Sequence, residues 1–82
     1  IYKVIADEDF ESEAKKMATT LAAMPTKGLA LTKQLLDNSF ENTYENQLHD
    51  EEIFQQRAGS TKDYKEGVQA FLEKRKPKFI GE

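Results

Sequence analysis

The sequence has no cysteine and a single histidine among its 82 residues. Without cysteine there is neither a disulfide framework nor a thiolate metal site, which fits a reducing cytoplasm, the expected location. It also lacks a long apolar run. The longest weakly polar stretch, MATTLAAM, is far below the roughly 20 residues of a membrane span. The N-terminal stretch IYKVIADEDF lacks the basic-then-apolar layout of a signal peptide, so a soluble protein without membrane contact is expected. No Gly-rich phosphate loop, HExxH or Ser/His/Asp arrangement occurs, so no catalytic residue is assigned.

A chain this short makes one small domain or a piece of a larger protein, and it buries a smaller share of its surface than an average domain. The net charge of −3 is unevenly spread. Residues 1–58 hold 6 basic and 11 acidic side chains, residues 59–82 hold 6 and 4. An anionic ligand is therefore expected at the C-terminal end, whereas the acidic remainder disfavours nucleic acid.

Periodicity predicts an all-α fold, a small bundle of about four helices forming one domain over residues 1–82. Residues 1–6 read as a remnant strand or an extended linker, and Asp7-Glu8-Asp9 suits a helix N-terminus. Phe10, Ala14, Met17, Leu21 and Met24 fall within roughly 80° of arc, giving a one-sided helix that ends before Pro25. A second helix, Thr26–Ser39, is apolar on two sides: Leu29, Leu36 and Phe40 oppose Leu31 and Leu35. A third, over 41–58, carries a stripe of Tyr44, Leu48, Glu51, Gln55 and Ala58 with Phe54 at its flank. In GSTKDYKEG, Gly59 suits a left-handed C-cap, and Asp63 with Glu66 has capping-box form, with Ser60 as the alternative cap. The fourth helix is expected to run to Arg75, before Pro77. Two-sided helices in so short a chain call for a partner.

His49 with Glu45 and Glu52 has the spacing of a hard metal site, but one histidine on a charged face reads first as solvated surface, and no metal is assigned. Glu51, within an otherwise apolar stripe, reads either as a buried acid with raised pKa or as an interfacial ion-pair partner. The basic run Lys74, Arg75, Lys76 and Lys78, flanked by Phe71 and Phe79, suits a phosphate-rich ligand with a stacking base. On pattern alone it better suits the negative end of a helix dipole, since such runs are common. Gly67 inside the last helix costs up to ~1 kcal/mol relative to alanine and points to a close approach there.

The segment DYKEGVQAFLEKRKPKFIGE resembles the C-terminal signature of the enoyl-CoA hydratase/isomerase (crotonase) family. The positions that carry the resemblance are Asp63, Glu66, Gly67, Ala70, Phe71, Lys74, Arg75, Pro77 and Phe79, with Glu51 twelve residues before Asp63. The start, IYKVIADEDF, is similar to the connector leaving that family's catalytic core. The resemblance covers essentially the whole chain and implies a C-terminal trimerisation and lid domain, inactive alone, of an enzyme acting on acyl-CoA. The family's oxyanion amides and acid/base carboxylates belong to an upstream core that is not in these residues.

Its implied partners are that core and a homo-oligomer, a trimer or hexamer, and coenzyme A enters only as part of the substrate, with no other cofactor. By motif position Phe71 and Lys74 meet the adenine and 3′-phosphate of coenzyme A, often in a neighbouring subunit. The nearest branch is that of the ring-epoxide isomerases of phenylacetyl-CoA breakdown, where a Gln four residues after the Glu is common. Gln55 then stands where several hydratases line the acyl pocket with an apolar or aromatic residue. A stand-alone helical module binding a partner protein is the alternative reading.

Overall fold

The computed structural model describes residues 1–82. A 3-10 turn, Asp7–Asp9, leads into α1 (Phe10–Ala22), α2 (Thr26–Ser39), α3 (Tyr44–Gly59) and α4 (Lys62–Leu72). The fold is all-α with four helices and no strand. Residues 1–6 are irregular and pair with no strand of this chain. Lys3 ties them to α1 through an ion pair with Glu13 at 2.6 Å.

The helix ends follow from local competition for backbone groups. α1 stops ahead of Pro25, and the Pro25 carbonyl accepts from the Leu29 amide at 3.1 Å as α2 begins. α3 starts later than expected because the Glu41 and Asn42 amides both turn back to the Asn38 carbonyl. Thr43 then caps the helix by accepting from the Asn46 amide at 3.2 Å. The next corner departs from expectation too. Gly59 stays in α3, and the C-cap is Ser60 with right-handed backbone, so no left-handed glycine closes this helix. Thr61, not Asp63 or Ser60, caps α4: its hydroxyl accepts from the Tyr64 amide at 3.0 Å and donates to the Ala58 carbonyl at 2.7 Å. One side chain thereby ends one helix and starts the next.

α2 and α3 pack antiparallel. Gly28, Leu31, Leu35 and Asn38 face Ala58, Phe54, Gln47 and Asp50 along a seam. Gln47 donates to the Leu35 carbonyl at 3.3 Å, and Asp50 accepts from Asn42 at 2.9 Å and from Asn38 at 3.4 Å. The seam uses one side of α2, leaving Leu29, Leu36 and Phe40 exposed, Phe40 by 90%. On α3 the inward face is turned toward the flank of the expected stripe: Phe54 is buried and Ala58 lies on the seam, whereas Tyr44 and Leu48 stay exposed. A single ring buries enough area to decide which face turns inward.

Only Phe54, Asp63 and Ala70 are buried in the whole chain. α1 buries nothing, and its stripe of Phe10, Met17, Leu21 and Met24 faces solvent. The radius of gyration is 16.1 Å, against about 12 Å for a compact domain of this length. The extents are 46 × 38 × 18 Å, so the helices lie as an open layer rather than closing round one core.

Candidate functional site

The residues of DYKEGVQAFLEKRKPKF fold back on themselves. α4 ends at Leu72, short of Arg75, in a tight reversal: the Lys74 amide donates to the Phe71 carbonyl at 3.2 Å and the Arg75 amide to the Ala70 carbonyl at 3.0 Å. These two bonds form a Schellman motif, and its left-handed position is held by Lys74, with φ 54°. Residues 76–82 then return along α4 as an extended strap.

Two side chains of α4, Asp63 and Glu66, hold the strap. Asp63, only 1% exposed, accepts from the amides of Ile80 and Gly81, both at 2.8 Å, while its own amide donates to the Glu82 carbonyl at 2.7 Å. Glu66 accepts from the Arg75 guanidinium at 2.6 and 3.0 Å and from the Lys78 amide at 2.9 Å. Those bonds, the Arg75 guanidinium foremost, bring its pKa down to about 2. Arg75 is also paired with Glu73, and both carboxylates raise its pKa. Gly67 lies against the Phe79 ring, which is 3.6 Å from where a Cβ would stand. A Cβ would therefore sit in ordinary van der Waals contact with this ring, and no approach close enough to require glycine is found at Gly67.

Asp63 and Glu66 thus anchor the strap and do not form a capping box. Their partners lie 9 to 18 residues away in sequence, a separation that helical periodicity does not register. Ala70, 1% exposed, is small because α4 is covered there. Of the signature residues, Phe71 and Lys74 stand apart. Phe71 is 82% exposed, and Lys74 is exposed and in no ion pair. Phe71, Phe79, Val68, Tyr64 and Pro25 line a largely apolar hollow of ≈ 420 Å³. A flat ring at the mouth of such a hollow offers a stacking face, and a lysine at the adjoining turn offers a mobile positive charge.

Gln55 lies elsewhere. It borders a second hollow, ≈ 390 Å³, between α2 and α3 with Leu31, Leu35, Glu51 and Phe54. The structure does not bring it together with Phe71 and Lys74. Glu51 is exposed in this chain and accepts only from Gln47, at 3.4 Å. Glu45, His49 and Glu52 do not form a cluster able to hold a metal ion. No helix is long and apolar enough to cross a membrane.

The family model for enoyl-CoA hydratase/isomerase matches residues 1–82. The chain belongs to that family, as the strap-forming signature implied. It is 44% identical over 81 residues to the 1,2-epoxyphenylacetyl-CoA isomerase of Escherichia coli K12, an alignment covering 99% of this chain and 31% of that protein. A probable enoyl-CoA hydratase of Rhodobacter capsulatus is 38% identical over 81 residues, covering 99% of this chain and 32% of the relative. The crystal structure of an enoyl-CoA hydratase from Geobacillus kaustophilus superposes with a TM-score of 0.92 at 27% identity, over 100% of this chain and 31% of that one. The chain therefore spans about a third of the length of these relatives.

Proposed function

We propose that these residues are the C-terminal oligomerisation and lid portion of an enzyme acting on coenzyme A thioesters, with Phe71 stacking on the adenine and Lys74 meeting the 3′-phosphate. The observation that carries this reading is the division of labour within the signature. Asp63, Glu66, Gly67, Arg75 and Phe79 are engaged with one another across the strap, whereas Phe71 and Lys74 face solvent. An exposed ring beside an unpaired cation suits a nucleotide bearing a phosphate. The uncovered stripes of α1 and α2 supply the apolar area that a catalytic core and neighbouring subunits would cover. By this reading the enzyme polarises the thioester carbonyl with amides lying outside these residues. The 82 residues alone turn nothing over.

In the intact oligomer, Lys74→Ala weakens binding of coenzyme A esters by on the order of 1–2 kcal/mol, less at high salt, and leaves 3′-dephospho analogues nearly unaffected. Equal weakening of both, or of neither, removes the phosphate assignment. Oligomeric state is measured beside affinity, because Phe71→Ala also alters packing.

A further inference from the structure

The largest hollow in the chain is not the one beside Phe71. It lies where the start of α2, the end of α3 and the first turn of α4 meet, encloses ≈ 740 Å³, and is lined by Lys27, Gln34, Arg57, Thr61, Lys62 and Glu82 among others. Three cations reach it from three different helices, in a chain whose net charge is −3. Two of them are uncommitted. The ion pairs of the chain are Lys3–Glu13, Lys62–Glu82 and those of Arg75 with Glu66 and Glu73, so neither Lys27 nor Arg57 takes part in one. Arg57 rests over the Phe54 ring, its guanidinium carbon 5.3 Å from the centroid. Its stem and plane are thereby steadied without its charge being neutralised.

The site already holds one anion, supplied by the strap. Gly81 passes so close to α2 that a Cβ there would stand 2.7 Å from the Thr26 hydroxyl, and its φ of +78° turns the chain toward the hollow. Glu82 follows, fixed by its carbonyl on the Asp63 amide at 2.7 Å, with its carboxylate on the Lys62 ammonium. The Lys62 bond first, then the charges of Lys62 and Lys27, hold that carboxylate below its usual range.

We propose that this hollow is a binding site for a phosphate dianion, free or as the monoester of a small metabolite, in which Lys27, Arg57 and Lys62 are the phosphate partners and Glu82 is a built-in competitor. The charges set the ligand class. Three cations line the hollow against the Glu82 carboxylate, and the buried Asp63 behind it is already bound by the Ile80 and Gly81 amides, so a net positive charge remains that favours a dianion over a monocarboxylate. Arg57 brings a planar fork suited to phosphate oxygens, and Lys27 and Lys62 act as point charges. The site is separate from the coenzyme A reading: Lys62 opens α4 and Lys74 lies beyond its other end, with about 16 Å of helix between them.

The test is titration of the full-length protein with inorganic phosphate at constant ionic strength, followed by amide chemical shifts and calorimetry, with acetate as the monoanion control. Saturable phosphate binding is expected, with the amides of Thr61, Lys62 and Glu82 shifting most. Lys27→Gln and Arg57→Gln each weaken it about tenfold, and Glu82→Gln tightens it several-fold. Because Glu82→Gln is a gain, loss of folding cannot imitate it. A parallel titration with methyl phosphate separates the two sources: the tighter binder, ester or free anion, is the natural ligand's form. No saturable binding, equal affinity for acetate, or indifference to Lys27→Gln, Arg57→Gln and Glu82→Gln would overturn the proposal.

Discussion

Lys74 occupies a position that most helices ending in this motif give to glycine. A left-handed backbone costs an L-residue on the order of 1–2 kcal/mol, and here the bonds from the Lys74 and Arg75 amides impose it. Lys74→Gly is therefore expected to raise stability by about 0.5–1 kcal/mol, part of the gain being lost to the added freedom of the unfolded chain. Lys74→Ala should not raise it, and paired denaturant melts compare the two. Both substitutions remove the same charge, so only ligand affinity should respond to them equally. Glu66 sets a second residue-scale expectation. Its folded pKa of about 2 lies below the ordinary value of 4.5, so its contribution is present above the higher value and is lost as pH falls toward the lower. The strap should loosen between about pH 4.5 and 2, seen as a low-pH shift of the Lys78 amide that Glu66→Gln abolishes.

At the scale of elements, α4 and its strap depend on one buried carboxylate. Asp63→Ala leaves the Ile80 and Gly81 amides without an acceptor and should cost roughly 1–3 kcal/mol. Hydrogen exchange should show those two amides opening while the α2–α3 seam stays protected. Exchange that rises evenly across the chain would place Asp63 in a global role instead. The four helices were legible from apolar periodicity and from Pro25, and the two-sided character of α2 was legible from Leu29, Leu36 and Phe40 against Leu31 and Leu35. Phe71 and Lys74 were legible through the signature alone. The face α3 turns inward was not, since counting apolar positions gives the Phe54 ring no more weight than a smaller side chain. Nor was the Thr61 cap, which competes with Ser60 and Asp63 within three residues and wins by bonding both neighbouring helices. The left-handed turn at Lys74 escaped because lysine carries no preference for it.

Across the whole molecule the exposed apolar stripes outweigh the core. With Phe10, Leu21, Leu36, Phe40 and Leu48 open to water and only Phe54 and Ala70 as buried apolar residues, the chain is expected to self-associate or to melt with little cooperativity. Light scattering across a concentration series, together with a denaturant melt, checks this. A strict monomer with a steep transition would mean that the layer is stable without cover. The strap also fixes an order of events during synthesis. α4 precedes the residues that clamp it, and the partners of Asp63 lie 17 and 18 positions further on. At about 5–20 residues per second, the ribosome takes on the order of one to a few seconds to cover that interval. Meanwhile α4 is a helix of 11 residues without its anchor, shorter than the ~12–15 residues at which an isolated helix becomes even marginal in water. The last helix of this chain therefore becomes stable only after the segment that follows it has been made.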